Sequence, residues 1–126
     1  MATLDLFPPP EPREAIGQNA CVLHGFALPY VDELLPAIAR IEAAAPFRQM
    51  VTPGGFTMSV ALTNCGALGW TTDEGGYRYT TNDPESGRPW PQMPDALARV
   101  AREAMFDNFE PDACLVNRYL PGSRLG

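Results

Sequence analysis

Lysine is absent from this sequence, and its 9 basic residues are all arginine. Together with 15 acidic residues they give a formal net charge of -6 at pH 7. Such a chain lacks the broad basic surface on which sequence-independent binding to duplex nucleic acid depends. A small site that reads a single nucleotide remains compatible with this charge.

Histidine and cysteine are scarce as well. His24 is the single histidine, so two histidines and a carboxylate cannot be combined into a metal site. Cys21, Cys65 and Cys114 are widely spaced and form no C-x-x-C pair, which excludes a standard zinc site or a disulfide framework. Three free thiols favour a reducing, cytoplasmic compartment, although each also suits the role of a small buried side chain.

Long apolar runs and recognised nucleotide-binding motifs are missing too. No run approaches the roughly 18 apolar residues of a membrane span, and residues 1–14 lack the basic and apolar stretches expected of a secretory signal. Phosphate-binding loops of the G-x-x-x-x-G-K-[ST] and G-x-G-x-x-G types do not occur, nor does G-x-S-x-G. The length of 126 residues fits one domain, and 14 prolines with 11 glycines predict many turns and short elements.

The pattern of apolar residues predicts an α+β fold in which helices cover one sheet. Residues 1–19 are expected to form an extended proline-rich arm, because proline lacks an amide hydrogen. Strands are predicted at residues 21–26, 57–63, 77–80 and 113–119. Helices are predicted from residue 29 to Pro46, with Pro36 as a kink or the true start, and from residue 94 to about 106. The buried stripe of the second helix is expected to consist of Leu97, Val100, Ala101, Ala104 and Met105.

An aromatic cluster follows the central strand. Trp70, Tyr77 and Tyr79 lie within ten positions, with Arg78 among them. Aromatic faces beside an arginine suit the stacking of a nucleobase and contact with its phosphate. They also suit core or loop-anchoring residues, and composition alone favours that simpler interpretation.

A series of motifs extends through the rest of the chain. The longest is PFRQMVTPGGFTMSV at residues 46–60. Shorter ones are TNCG at 63–66, LGWTT at 68–72, PWP at 89–91, PDAC at 111–114, NRY at 117–119 and PG at 121–122, and LDLF stands at 4–7. In this order they resemble the bacterial type of the AlkB family of Fe(II)/2-oxoglutarate-dependent nucleic-acid dealkylases. The resemblance implies the first strands and helices of a double-stranded β-helix (jelly-roll) oxygenase with an incomplete core. Residues 20–126 would form a single partial domain, with a nucleotide-recognition lid at about 46–90 and the start of the oxygenase core at 111–126.

The resemblance also implies a substrate site. Its residues would be Trp70, Tyr77, Arg78, Tyr79, Thr52 and Leu62. Trp70 would stack on the alkylated base and Tyr77 would reach the base and phosphate, while Thr52 and Phe56 would lie near the nucleotide backbone. Phe56 stands where the family has tyrosine, so a hydroxyl contact is lost there. Leu62 stands in an apolar wall where methionine is common.

A cofactor site is implied near the end of the chain. Asn117 and Tyr119 share one strand face by alternation and, from the residues alone, would either bind a small acid or satisfy backbone groups. The resemblance implies that they contact 2-oxoglutarate together with Leu115 and Arg118. The family's H-x-D iron motif would follow residues 121–122 directly. Since the sequence given stops at residue 126, no catalytic residue and no metal ligand is assigned to it.

For the intact protein the resemblance implies repair of DNA or RNA by oxidative demethylation of bases such as 1-methyladenine and 3-methylcytosine. Fe(II), 2-oxoglutarate and O2 would be required, alkylated single strands would be the partners, and the protein would be a cytoplasmic monomer. The 126 residues alone are expected to be inactive. The sequence does not distinguish DNA from RNA as the substrate, and it does not identify the preferred alkyl lesion. It also leaves open whether the chain is a truncated piece or a natural short protein. The alternative is a non-catalytic fragment that binds nucleic acid or a partner.

Overall fold

The computed structural model describes residues 12–105 and 108–125. The strands are β1 (Arg13–Gly17), β2 (Ala20–Leu23), β3 (Arg48–Val51), β4 (Thr57–Gly66), β5 (Gly69–Asp73), β6 (Gly76–Thr80) and β7 (Ala113–Arg118). The helices are a 3-10 turn (Leu28–Tyr30), α1 (Val31–Ala44) and α2 (Asp95–Ala104). This mixture of helices and antiparallel strands confirms the predicted α+β class. None of the helices in the described ranges is long and apolar enough to cross a membrane.

The strands form three antiparallel sheets, so the expectation of one sheet is wrong. β1 pairs with β2, β4 lies between β3 and β7, and β5 pairs with β6. The chain leaves the central sheet at Gly66, whose φ of 114° is open to glycine but strained for other residues. Leu68 then makes a single parallel bridge to Ala113, which keeps the β5–β6 hairpin beside β7.

The N-terminal segment departs from the predicted arm. Residues 1–11 lie outside the described residues, but Arg13–Gly17 is a strand and not part of an extended arm. The N-terminal run of prolines ends at Pro12. The two residues between β1 and β2 then close a hairpin. β2 ends at Leu23, earlier than predicted, because the chain turns at Gly25 with a φ of 68°.

Helix α1 includes Pro36 in its interior, and the helix begins before it. Ala37 and Ile41 are buried against the rest of the fold, whereas Leu35 is 62% exposed. The helix ends before Pro46 as predicted. Its C-terminus is tied to β4, because the buried Thr63 hydroxyl donates a hydrogen bond to the carbonyl of Ala45 over 2.6 Å.

Helix α2 is shorter than predicted, and Phe106 lies outside the described residues. The predicted stripe from Leu97 to Ala104 is only half-buried, while Ala96 is the buried residue of this helix. Met105 is 53% exposed, because it follows the last helical residue with an extended backbone.

The apolar core lies between β3, β4 and β5. Met50, Val60 and Leu62 are buried, and Met58 and Trp70 pack against them. Met58, Val60 and Leu62 alternate along β4 and therefore share this inward face. The alternate positions of β4 are buried as well: Ala61, Thr63 and Cys65. Both faces are covered because α1 packs on β4 from one side while β5 packs from the other.

Candidate functional site

The β5–β6 hairpin carries an aromatic face. Trp70 lies opposite Tyr79 in the strand register, and Thr72 lies opposite Tyr77, so these side chains project from the same face. The rings of Trp70 and Tyr77 are stacked, with centroids 5.6 Å apart and planes 23° from parallel. Trp70 is half-buried, whereas Tyr77 and Tyr79 are 63% and 62% exposed. Three of the predicted aromatic residues therefore form one accessible surface.

The main chain of Trp70 is held by a buried side chain that sequence reasoning missed. Asn64 of β4 donates a hydrogen bond from Nδ2 to the carbonyl of Trp70 and accepts one at Oδ1 from its amide, both over 2.9 Å. Asn64 is 0% exposed. The feature of the sequence that could have revealed this role is an amide side chain within the apolar run of a strand, because a buried polar group needs a specific hydrogen-bond partner.

Two cavities flank Trp70. One of about 530 Å³ is lined by Tyr77 and by Thr52 and Met58, among others. The other, of about 290 Å³, is lined by Asn64, Trp70, Tyr79, Ala113 and Leu115. The indole therefore lies between a cleft beside the β3–β4 turn and a cleft beside β7.

Arg78 lies on the opposite face of the hairpin from Trp70. Its guanidinium donates two hydrogen bonds to the carboxylate of Asp73, at 2.6 and 2.9 Å. The hydrogen bonds from Arg78 and from the backbone amide of Gly75 lower the pKa of Asp73. The structure thus does not bring Arg78 together with the aromatic face.

The remaining predicted substrate residues occupy different surroundings. The amide of Thr52 donates to the carbonyl of Phe56, and its hydroxyl accepts from the amide of Phe56, which closes a tight turn. Thr52 lines the larger cavity, while Phe56 is 76% exposed. Leu62 is 1% exposed and belongs to the core beneath the aromatic face.

The predicted cofactor residues lie on β7 and just after it. Leu115, Asn117 and Tyr119 alternate along the chain on one side, and Leu115 reaches the cavity beside Trp70. Asn117 is exposed and Tyr119 is 53% exposed, so both side chains are accessible from solvent. Arg118 lies on the other side, 3.2 Å from a carboxylate oxygen of Glu42 and stacked over Phe47.

A buried ion pair joins β3 to the loop at residues 82–89. Two guanidinium nitrogens of Arg48 donate to the two carboxylate oxygens of Asp83 over 2.6 and 2.8 Å. The Arg48 hydrogen bonds are the main reason that the pKa of Asp83 is lowered, and they more than offset its burial. Trp90 packs under Arg48 and donates from Nε1 to Thr80, so this anchor also fixes β6.

Metal ligands are not gathered in the described residues. Within residues 12–105 and 108–125 there is no group of three or more His, Cys, Asp and Glu side chains that could hold a metal ion. His24 lies 2.6 Å from a Glu14 carboxylate oxygen, where β1 and β2 meet. The donor set described here therefore does not fit an iron ion, and no chemical step is assigned to one.

Known proteins resemble this chain over most of its length. Residues 19–126 match the sequence model of the 2OG-Fe(II) oxygenase superfamily. The alpha-ketoglutarate-dependent dioxygenase AlkB of Salmonella typhimurium is 51% identical over 127 residues, and that of Escherichia coli is 49% identical. Both alignments cover 97% of this chain and 59% of the relative. An AlkB homolog of Caulobacter vibrioides is 46% identical over 93 residues, which cover 74% of this chain and 42% of the relative. The chain thus spans less than two thirds of the length of these relatives. The resemblance to the AlkB family is confirmed.

Proposed function

This chain belongs to the 2OG-Fe(II) oxygenase superfamily, and we propose that it serves the repair of alkylated nucleic acid. The whole protein would be an Fe(II)/2-oxoglutarate-dependent dioxygenase that removes methyl groups from bases of the 1-methyladenine and 3-methylcytosine type. Iron and 2-oxoglutarate would supply the oxidation by O2. The described residues would supply base recognition and part of the 2-oxoglutarate pocket.

The observation that carries this proposal is the stacked and accessible pair of Trp70 and Tyr77. An exposed aromatic surface stacks on any base, and each such contact contributes about 1–3 kcal/mol. Bases of the 1-methyladenine and 3-methylcytosine type carry a positive charge at neutral pH, which strengthens their attraction to an electron-rich ring face. Thr52 lines the cleft beside this pair and would lie near the nucleotide backbone.

We propose that residues 46–90 act as the nucleotide-recognition lid and residues 111–126 as the start of the oxygenase core. The ion pair of Arg48 with Asp83 supports the first boundary, because it joins one end of this segment to the loop near its other end. The separate pairing of β5 with β6 supports a recognition hairpin within this segment, next to the strands β3 and β4 that belong to the central sheet.

For 2-oxoglutarate, the proposal rests on Leu115, Asn117 and Tyr119. They share one side of β7 and its extension, and Leu115 on that side lines the cavity next to Trp70. An amide and a phenol offer hydrogen bonds to the carboxylate and keto oxygens of a small dicarboxylic acid. Arg118 lies on the other side of β7, where it is hydrogen bonded to Glu42, so it is a weaker member of this group.

We further propose a cytoplasmic protein that acts as a monomer on alkylated single-stranded DNA or RNA. The three free cysteines support a reducing compartment. The exposed aromatic face supports single strands as the ligand, because their bases are free to stack.

A titration tests the recognition role directly. Tryptophan emission of the chain is followed while a single-stranded oligonucleotide with one 1-methyladenine is added, with the unmethylated strand as comparison. We expect quenching by the methylated strand that is absent from Trp70→Phe, which retains Trp90. An equal response of the two strands, or no response, would contradict base recognition.

A second experiment separates catalysis from binding alone. The gene product is isolated from its own cells, its intact mass is compared with that of the 126-residue chain, and formaldehyde release is measured with iron, 2-oxoglutarate and methylated strands. Formaldehyde that depends on 2-oxoglutarate supports the dioxygenase. If the gene product binds methylated strands but releases no formaldehyde, whatever its length, the alternative of a non-catalytic binding fragment is favoured.

A further inference from the structure

Two cysteine thiols face each other across the central sheet. Cys65 of β4 lies directly opposite Cys114 of β7 in the strand register, so the two side chains are neighbours on the same face of the sheet. Cys65 is 0% exposed and Cys114 is half-buried, whereas Cys21 is exposed on the separate N-terminal sheet. The pair lies outside the residues that the proposed function uses.

We propose that Cys65 and Cys114 form a redox-active dithiol that closes reversibly into a cross-strand disulfide. Residues directly opposite in an antiparallel pair have Cα atoms about 4.5 or 5.5 Å apart. Disulfides span Cα separations of about 4.4–6.8 Å, so the bond forms without moving the backbone of either strand far. The in-register pairing on both sides of this position, Asn64 with Leu115 and Gly66 with Ala113, holds the two cysteines in place.

The two thiols have different chemical roles in this reaction. Interaction with the neighbouring Cys65 thiol lowers the pKa of Cys114, against the effect of its partial burial. Interaction with Cys114, together with burial, raises the pKa of Cys65. Cys114 therefore has the lower pKa of the two thiols and is the more accessible sulfur, so its thiolate is the attacking group.

With hydrogen peroxide as the oxidant, the reaction balances in two steps. The Cys114 thiolate attacks one peroxide oxygen, the O–O bond breaks, and with one proton the products are a sulfenic acid and water. The sulfur of Cys65 then attacks the sulfenic sulfur, the S–O bond breaks, and the proton of Cys65 leaves with the hydroxyl as a second water. Two electrons and two hydrogens pass from the dithiol to the peroxide, and a small dithiol reductant reverses the change.

The disulfide would act close to the aromatic face. Asn64, which holds the main chain of Trp70, precedes Cys65, and Leu115, which lines the same cavity, follows Cys114. A covalent link between β4 and β7 would therefore fix the distance between the strand that positions Trp70 and the strand proposed to bind 2-oxoglutarate. The formation of the bond itself does not depend on that proposed function.

The test is disulfide mapping of the unmutated chain. The protein is treated with a small excess of hydrogen peroxide, residual thiols are alkylated, and peptides are identified by mass spectrometry without reduction. We expect a peptide pair joined through Cys65 and Cys114, a mass decrease of about 2 Da for the intact chain, and recovery of both thiols with dithiothreitol. Loss of both thiols without this peptide pair, or persistence of both, would overturn the proposal.

Two variants sharpen the result without disturbing the buried thiol. Cys21→Ser should leave the joined peptides unchanged, because Cys21 belongs to another sheet. Cys114→Ser should abolish the bond while Cys65 remains a free thiol that resists alkylation in the folded protein. A disulfide between Cys21 and Cys65 in that variant at the yield of the original pair would show that register does not direct the reaction.

Discussion

The side-chain amide of Asn64 pairs with the main chain of Trp70 as a neighbouring strand would. It both donates to the Trp70 carbonyl and accepts from the Trp70 amide, so one side chain satisfies two backbone groups on the edge of β5. The position of the indole between its two flanking cavities is therefore determined by a residue of the central sheet.

Asn64→Ala should destabilise the chain because it removes both hydrogen bonds and leaves two main-chain groups of Trp70 without them. An unsatisfied buried polar group costs about 1–3 kcal/mol. We expect the free energy of unfolding in urea to fall by about 2 kcal/mol, with a red shift of tryptophan emission in the native state as Trp70 becomes more mobile.

Asn82→Ala is the matched control for this substitution. Asn82 is exposed, and its side chain donates one hydrogen bond to the carbonyl of Gly87 in a loop. Its removal should change the free energy of unfolding by about 0.5 kcal/mol or less. Equal losses in the two variants would show that the Asn64 amide has no special role.

Sequence alone predicted the identity of the aromatic residues but not their arrangement. Tyr77 and Tyr79 were expected beside Trp70, yet their common face follows from the hairpin register, which the turn at residues 74–75 sets. Arg78 falls on the other face for the same reason. The partner of Asn64 was not predictable, since it depends on how a separate hairpin packs on the central sheet.

The ion pair of Arg48 with Asp83 should make stability depend on acid pH. The pKa of Asp83 is lowered in the folded state. The ion pair therefore adds to the free energy of unfolding at pH values above the pKa that Asp83 has in the unfolded chain, and this stabilisation is lost as the pH falls through the pKa of Asp83 in the folded chain. Urea denaturation at a series of acid pH values should show this loss. Asp83→Asn should lower the free energy of unfolding by about 3 kcal/mol at neutral pH. The difference in this free energy between the variant and the original chain should shrink towards about pH 2.

Glu85→Gln is the control for that ion pair. Its carboxylate oxygen is 3.9 Å from Arg48 Nε, and the side chain is 62% exposed. Solvent screening leaves such a pair worth about 1 kcal/mol or less. If the free energies of unfolding of Asp83→Asn and of the original chain fell in parallel throughout the acid range, the pH dependence would belong to other carboxylates.

Gly69→Ala should be destabilising because Trp90 packs directly on Gly69. A Cβ atom added there would overlap the indole ring, and that ring is 4% exposed and hydrogen bonded to Thr80. Overpacking of this kind costs about 1–3 kcal/mol. Gly17→Ala on β1 is the control, since its added Cβ would meet only the Ala20 Cβ at 3.8 Å. Thermal denaturation compares the two variants, and similar Tm values would contradict the tight packing.

The stacked pair predicts how substitutions in β6 change oligonucleotide binding. Tyr77→Ala removes the ring that covers Trp70 and should weaken binding of a methylated single strand by about tenfold, the equivalent of one stacking contact. Tyr77→Phe keeps the ring and should retain most of the affinity, so the difference between the two isolates stacking from the hydroxyl group. Arg78→Ala is the control on the adjacent residue, because Arg78 lies on the opposite face and pairs with Asp73. Fluorescence anisotropy of a labelled strand measures all three, and a loss in Arg78→Ala as large as in Tyr77→Ala would mean that charge, and not the aromatic face, carries the binding.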